Sequence, residues 1–146
     1  MNDRDEHKVK KPAFRFSTTK AMETVAAKFG KPTEYGFTDW SYIYSKPNEI
    51  QMYLNEYEST QDEDIKFVLT EMILQALVDQ LNEIEILKYW DKTKEILHKD
   101  FELHQFTIHY WMNLDAHNFE NCKYLSPLLI ELFNTNEERI TIDNKW

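Results

Sequence analysis

The feature that most constrains this chain is a long stretch without turn residues. Neither glycine nor proline occurs from Asn48 to Ser126, which is 79 of the 146 residues. Sheet proteins reverse direction often and need such residues at their turns, so this absence favours helices joined by short polar connections. A hydrophobic fraction of 42% is enough for a core. We therefore expect an all-α protein with one domain over residues 14–146, behind a flexible tail of residues 1–13.

Hydrophobic periodicity and capping residues predict an irregular bundle of five or six helices. The strongest helix is predicted over 61–83, because apolar residues cover most of its circumference, as in a helix surrounded by others. Thr60 and Glu63 fit a capping box at its start. The remaining helices are predicted from Thr18 or Thr19 to Phe29, from Pro47 to the connection 58–64, over 84–98, over 101–116, and from Ser126 and Pro127 onward.

The segment after the first helix is predicted to be an aromatic-rich packed loop. Gly30 stands where a left-handed residue ends a helix, and Pro32 prevents the helix from resuming. Residues 33–46 then read TEYGFTDWSYIYSK and have no helical period. A short extended piece is expected at 40–44. The C-terminal residues 137–146 fit either a short strand or an arm laid over the bundle.

The stretch 101-FELHQFTIHYWMNLDAH-117 contains three histidines and raises the question of a metal site. Wound as a helix, it points His104 and His109 in different directions, whereas zinc helices typically space their ligands by four residues. We interpret the stretch as an inward-facing wall, with His104 at the edge of the core and bonded to a carbonyl. The predicted inward arc comprises Leu103, Phe106, Tyr110, Trp111 and Leu114, and is extended by Phe101, Ile108 and Met112.

Catalytic patterns are few. The segment 95-EILH-98 is a Glu-x-x-His pair of the kind that di-iron bundles use twice, but it occurs once here. The alternative to a binding protein is therefore a metal-dependent helical enzyme that uses Glu95, His98 and His104. A phosphate loop and a Gly-x-Ser-x-Gly elbow are absent from the sequence, and pairing Cys122 with His117 is a weaker idea still. We expect no enzymatic activity and no cofactor.

The net charge of −9 limits the partners. Nucleic acids and anionic membranes attract basic surfaces, so the balance argues against both. No apolar run approaches the ~20 residues that a bilayer-spanning helix needs. The N-terminal residues lack the hydrophobic segment of a secretory signal, and Cys122 is the only cysteine. These observations predict a cytoplasmic protein.

The charge is unevenly distributed along the chain. The segment from Asn48 to Glu85 contains ten acids and one base, which accounts for the whole net charge. One interpretation is a solvated face, and the other is a docking surface for a basic partner. Under the second, two tyrosines would supply aromatic anchors. The predicted partner-binding residues are Tyr53, Glu56, Tyr57, Glu58, Asp62, Glu63 and Asp64.

The pattern 39-DWSYIYSKPNEIQMYLNEYES-59, followed by 62-DEDIKFVLTEMILQAL-77, resembles small, acidic, helical bacterial immunity proteins. Such proteins neutralise toxins that are delivered between bacteria. The resemblance implies an inhibitor that binds a toxin domain, often a basic nuclease, through an acidic surface. It assigns no role to an individual residue. A structural, oligomer-forming helical protein is the third hypothesis.

Overall fold

The computed structural model describes residues 12–33, 39–112 and 121–142. The all-α prediction is confirmed for these residues, which contain a single isolated β-bridge and no strand. They contain seven α-helices, so the predicted number of five or six was too low. The helices are α1 (Thr19–Phe29), α2 (Trp40–Tyr44), α3 (Ile50–Ser59), α4 (Glu63–Val78), α5 (Glu83–Lys99), α6 (Phe101–Met112) and α7 (Cys122–Thr135), with short 3-10 helices at Pro47–Glu49 and Glu137–Arg139.

Helix α4 is the centre of the bundle, as its apolar circumference predicts. Every residue from Phe67 to Val78 is buried, and α4 contacts each of the other six helices. The hydrophobic core takes residues from all seven helices. None of the described helices is long and apolar enough to cross a bilayer.

The end of α4 differs from the prediction. The helix was expected to reach residue 83, but it stops at Val78. The Asn121 side-chain amide donates to the carbonyls of Val78 (3.0 Å) and Gln80 (2.5 Å), and Asn82 already caps α5. The carbonyls that a longer helix would have used are therefore satisfied by other groups. Leu81, predicted to point inward, is 91% exposed.

The start of α4 corrects a second detail. Asp62 caps the helix, because its carboxylate accepts from the backbone N–H groups of Asp64 and Ile65. The Thr60 hydroxyl accepts from the Asp62 backbone instead of closing the predicted capping box with Glu63. The first helix, in contrast, is confirmed: Thr18 caps it, and Gly30 ends it at a φ of 65°.

Residues 40–44 form helix α2 and not the predicted extended piece. Tertiary contacts explain the difference, since the Trp40 indole N–H donates to the Pro32 carbonyl at 2.8 Å. The Ser45 hydroxyl donates to the Met72 carbonyl on α4 at 2.6 Å. These tertiary hydrogen bonds hold residues 40–44 in a helix that the local sequence pattern does not predict. The rest of the predicted loop includes residues 34–38, which lie outside the described residues.

Helix α6 is confirmed up to Met112, and the predicted inward residues Phe101, Ile108 and Trp111 are buried. Tyr110, which was also predicted to face inward, is 45% exposed, whereas His104 and Gln105, outside the predicted arc, are buried. Leu114 lies outside the described residues. The buried positions are Phe101, His104, Gln105, Thr107, Ile108 and Trp111.

The last helix starts earlier than predicted. It begins at Cys122, and Pro127 lies inside it. Ser126 does not cap a helix, because its hydroxyl donates to the Trp111 carbonyl at 2.8 Å. At the chain ends, Pro12 and Ile142 form the isolated antiparallel bridge. Of the predicted N-terminal tail, residues 1–11 lie outside the described residues. The C-terminal residues, predicted to form either a short strand or an arm, are described as far as Ile142 and contain the 3-10 helix Glu137–Arg139.

Candidate functional site

The α3–α4 tip, residues 53–64, holds all seven predicted partner-binding residues, and its two tyrosines lie in the core. Tyr53 is 0% exposed and Tyr57 is 3% exposed. The Tyr53 hydroxyl donates to the Glu49 carboxylate at 2.6 Å and accepts from the Lys46 backbone N–H at 3.0 Å. An anchor has to be reached by its partner, so neither tyrosine offers the contact that was expected of it.

Tyr57 belongs instead to a partly buried chain of polar side chains beneath the tip. Its hydroxyl donates to Asp100 Oδ2 at 2.6 Å and lies 2.6 Å from His104 Nε2. Lys66 completes the chain, with its Nζ 3.6 Å from Asp100 Oδ2 and 5.3 Å from the centre of the Tyr57 ring. Although burial opposes ionisation, the Tyr57 hydrogen bond and the Lys66 charge hold the pKa of Asp100 below its usual value. This chain links α3, α4 and the start of α6.

His104 is the innermost member of the chain. It is fully buried, and burial lowers its pKa to about 3, so the imidazole is neutral at physiological pH. Because Tyr57 uses its one proton on Asp100, Nε2 carries the imidazole proton; this tautomer is inferred from the network. The Thr70 hydroxyl lies 3.2 Å from the same nitrogen. The prediction of a core-edge histidine bonded to a carbonyl was therefore wrong.

Most acids of the tip are used within the protein. Glu56, Glu58 and Asp64 each form an ion pair with a base from outside the acidic segment, and Asp62 is the cap of α4. Only the exposed Glu63 has no ion pair or cap role within the described ranges. The pairs are Glu56–Lys28 (3.4 Å), Glu58–Lys92 (3.0 Å) and Asp64–Arg15 (2.7 Å).

The groove beside the tip is mixed in charge. Among the described residues, three lysines and three acids line it, around a volume of about 150 Å³. Charge that is concentrated in sequence is thus partly compensated in space, since bases from distant segments return to the acidic one. A basic partner would meet both signs at this place. The charged lining residues are Lys66, Lys92, Lys99, Glu58, Glu95 and Asp100.

A different surface has the composition of an interaction site. We define the α4–α5 corner as residues 79–91, where α4 ends and α5 begins. Leu81 is 91% exposed, Ile84 75% and Leu87 48%. Ile84 and Leu87 lie one turn apart on α5, so their side chains share a face. Exposed large aliphatic side chains that are grouped in this way mark an interaction surface more often than single ones do.

Acids flank these apolar side chains. Glu83 and Asp91 lie four residues on either side of Leu87, one helical turn away, and both are exposed. Asp79 is also exposed and accepts a hydrogen bond from its helical neighbour Gln75 at 3.0 Å. Lys88 is the single base between Asp79 and Asp91. Within the described ranges, no ion pair joins these acids to a base.

The sequence held a signal for this corner that the hydrophobic pattern obscured. Leu81 continues the apolar stripe of α4, so periodicity alone extends the helix past it. Asn82, followed by Glu83 and Glu85, has the composition of a new helix start. The Asn82 side chain does accept from the Glu85 backbone N–H at 3.1 Å. A helix that begins after an Asn82 cap places Leu81 in the connection between α4 and α5.

The alternative metal site is not assembled. Glu95 lines the mixed-charge groove, whereas His98 lines a separate groove between α5 and α7, and His104 is buried beneath the tip. In the part of the chain that the structure describes, no group of three or more histidine, cysteine or carboxylate side chains could hold a metal ion. Cys122 is buried, and His117 lies outside the described residues.

Comparison with known protein families, with curated proteins and with solved structures finds no match to this chain. The geometry of the two surfaces is therefore the basis on which a function can be proposed. The tip is largely compensated within the protein, whereas the corner presents apolar and acidic side chains to solvent.

Proposed function

We propose that this protein is a non-enzymatic binding protein that recognises a basic protein partner through the α4–α5 corner. The observation that carries the proposal is the group of exposed aliphatic side chains at Leu81, Ile84 and Leu87. Their exposure contrasts with the burial of almost all the apolar residues of α4. An apolar centre within a polar rim is the usual anatomy of a protein interface.

The charge of the rim favours a basic partner. The exposed Glu83 and Asp91 lie one helical turn on either side of Leu87, the exposed Asp79 precedes Leu81 by two residues, and Lys88 is the only base in the segment 79–91. A positive patch on the partner would meet these acids, which speeds association and selects against other proteins. The apolar side chains would then supply the affinity, because their burial is what resists dissociation.

The same charge disfavours the hypothesis of a structural oligomer. A symmetric dimer through this corner would place the same surface of two copies face to face. The acids of one copy would then meet the acids of the other, and like charges at an interface cost free energy. A basic partner removes this repulsion, so a second protein fits the corner better than a second copy does.

The immunity-type resemblance supplies the class of partner. A toxin domain with a basic surface would be bound stoichiometrically in the cytoplasm of the producing cell. Its toxicity would be suppressed without a reaction, because the corner offers contact area and no catalytic group. In this proposal the acids at the corner, and not those at the tip, meet the toxin.

Site-specific photo-cross-linking tests the proposal. The photoreactive residue p-benzoylphenylalanine would replace Leu81 or Leu87 in the producing cell, with Gln61 at the tip and Ile142 as matched exposed controls. We expect one discrete adduct from both corner positions and none from Gln61 or Ile142. Adducts from Gln61, without adducts from the corner positions, would show that the partner binds at the tip and would contradict the proposal. An adduct with a second copy of this chain would support the oligomer.

The captured protein then decides the function. It should be basic, should bind the purified protein, and should arrest growth when it is expressed alone but not when it is co-expressed with this chain. A partner that binds at the corner but is harmless when expressed alone would keep the binding role and contradict the toxin class. An acidic partner would contradict the charge argument.

A further inference from the structure

A second recess lies on another side of α4 and shares no residue with the corner. It has a volume of about 180 Å³ and is formed by the segment before α1, by α2, by α4 and by α6. Five aromatic side chains of the described residues line it. These are Phe14, Phe16, Tyr42, Phe106 and Tyr110.

The aromatic rings form two groups. Phe14 contacts both Phe16 and Phe106, with ring centres 5.6 and 4.8 Å apart. Tyr42 and Tyr110 stack with ring centres 5.6 Å apart and planes inclined by 21°. Phe14 is 59% exposed and Phe16 is 65% exposed, so both present apolar ring surface to solvent. Aromatic rings that remain this exposed suggest a ligand or partner.

A carboxylate also lines the recess. Glu71 lies on the apolar central helix and is only 6% exposed. It accepts a hydrogen bond from the Ser41 hydroxyl at 2.7 Å. A carboxylate has about four lone-pair positions, so this bond leaves acceptor capacity for another donor. Asp39 adds a second, exposed acid at the same recess.

The base that lines the recess among the described residues is engaged elsewhere. Arg15 lines the recess, but its guanidinium pairs with Asp64 at 2.7 Å and lies 5.3 Å from the centre of the Phe67 ring. Asp64 precedes Glu71 by seven residues, or about 10 Å along the helix axis. Among residues 12–33, 39–112 and 121–142, no base forms an ion pair with Glu71. A buried carboxylate without a positive partner is costly to keep ionised.

We propose that this recess binds an organic cation, either an alkylammonium or a guanidinium group. The cation would lie against the ring faces, whose negative quadrupole attracts it, and would place its charge towards Glu71. An apolar ligand would gain the contact with the rings but would leave the carboxylate uncompensated. An inorganic cation would lose water that the rings cannot replace. The combination of aromatic walls with one buried acid therefore selects an organic cation.

The protonation of Glu71 gives the site a pH dependence. Burial, with a smaller contribution from the Asp39 charge, raises the pKa of Glu71 to about 7, against the lowering effect of the Ser41 and Tyr42 hydroxyls. Among the residues that the structure describes, the other charged or titratable groups that line the recess are Arg15 and Tyr110. A bound cation favours the ionised acid, so affinity should rise between pH 6 and pH 8 as Glu71 loses its proton.

The binding test compares cations with neutral molecules of the same shape. Choline is paired with 3,3-dimethyl-1-butanol, and N-acetyl-arginine amide with N-acetyl-citrulline amide. Binding is followed in ¹⁵N–¹H spectra of the full chain and by calorimetry. We expect at least one cation to bind, with shifts at the backbone amides of the recess, and its neutral partner to bind about tenfold more weakly or not at all. Preference for choline indicates a free quaternary ammonium ligand, whereas preference for the arginine derivative indicates a protein side chain.

Two variants on different elements keep the test independent of folding. Glu71→Gln preserves the size and hydrogen bonding of the side chain but removes its charge. This variant should bind the cation about tenfold more weakly, and its affinity should no longer depend on pH. Phe14→Leu combined with Phe16→Leu preserves apolar surface but removes the rings at exposed positions. This double variant should lose more affinity for the cations than for the neutral molecules. Asp39→Asn is the control, and its affinity for the cation should still rise between pH 6 and pH 8.

Several results would overturn this inference. The first is the absence of shifts with choline, tetramethylammonium and the arginine derivative at about 50 mM. Another is equal binding of the cation and its neutral partner, which would leave only an apolar recess. A third is unchanged affinity in Glu71→Gln. None of these outcomes concerns the α4–α5 corner, so the proposed function stands or fails separately.

Discussion

The α3–α4 tip and the α4–α5 corner lie at opposite ends of the central helix, and their side chains are used differently. At the tip, three of the five acids form ion pairs, a fourth caps α4, and both tyrosines are buried. At the corner, large aliphatic side chains are exposed among acids that have no ion pair within the described residues. A cluster of acids along the sequence therefore does not locate the acidic surface. Pairing with distant bases decides which acids are compensated.

The largest predicted effect separates the two regions by binding. Leu81→Ser combined with Ile84→Ser should lower the affinity for the cross-linked partner at least about a hundredfold, because apolar contacts at the centre of an interface contribute most of its binding energy. The free energy of unfolding should change by about 0.5 kcal/mol or less, since both side chains are exposed. Surface plasmon resonance and urea unfolding measure the two effects. Ile142→Ser is the matched control and should bind as wild type; equal binding by the double variant would remove the corner from the interface.

The second prediction concerns acid conditions and the chain beneath the tip. The folded pKa of His104, about 3, lies below its usual 6.5, so its stabilising contribution is full above pH 6.5 and is lost as the pH falls towards 3. Between pH 7.5 and pH 5 the wild type should lose about 2 kcal/mol of unfolding free energy through this residue.

The difference between wild type and His104→Gln isolates this effect. Glu71 acts in the opposite sense, because its folded pKa of about 7 lies above its usual 4.5 and its contribution is lost as the pH rises through that range. It is present in both proteins and cancels in the difference. Parallel pH profiles for the two proteins would mean that the pKa of His104 is the same in the folded and the unfolded protein, which would contradict this prediction.

The third prediction tests the structural role of Tyr57. Tyr57→Phe removes the hydrogen bond to Asp100 and leaves the buried His104 N–H with a poorer partner. The free energy of unfolding should fall by about 1–2 kcal/mol. Partner binding should remain within about twofold of wild type, since the side chain is only 3% exposed. A large loss of binding without a loss of stability would restore the anchor role to this tyrosine.

The smallest predicted effect is at an ion pair of the tip. Glu56→Gln removes the pair with Lys28, whose Nζ lies 3.4 Å away and whose side chain is 59% exposed. Such pairs contribute little, so the unfolding free energy should change by about 0.5 kcal/mol or less. Thermal unfolding in low and high salt checks this. A loss above about 1 kcal/mol would mean that the tip depends on its surface charges more than the geometry indicates.

Local signals in the sequence predicted much of the fold. Helix α1 follows from Thr18 as its cap and Gly30 as its end, and both are confirmed. The central position of α4 follows from apolar residues around its circumference, which only a surrounded helix can bury. These features depend on residues that are close together in the chain, so periodicity and capping are enough to find them.

What the sequence could not supply comes from contacts across the chain. Helix α2 depends on bonds from Trp40 and Ser45 to other elements, and α4 ends where Asn121 takes up its carbonyls. The face of α6 is set by the buried bond between His104 and Tyr57, 47 residues apart. The ion pairs that compensate the tip are equally remote. Composition located the acids, but only the fold shows which of them face solvent without a partner.

The most direct test of the central claim compares two charge reversals of equal size. One variant carries Asp79→Lys and Glu83→Lys at the corner, and the other carries Glu58→Lys and Glu63→Lys at the tip. Stopped-flow association with the cross-linked partner at low salt measures both. The corner reversal should slow association by about tenfold or more, and the tip reversal by less than about twofold. Slower association of the tip variant, with the corner variant unchanged, would contradict the assignment of the interface to the α4–α5 corner.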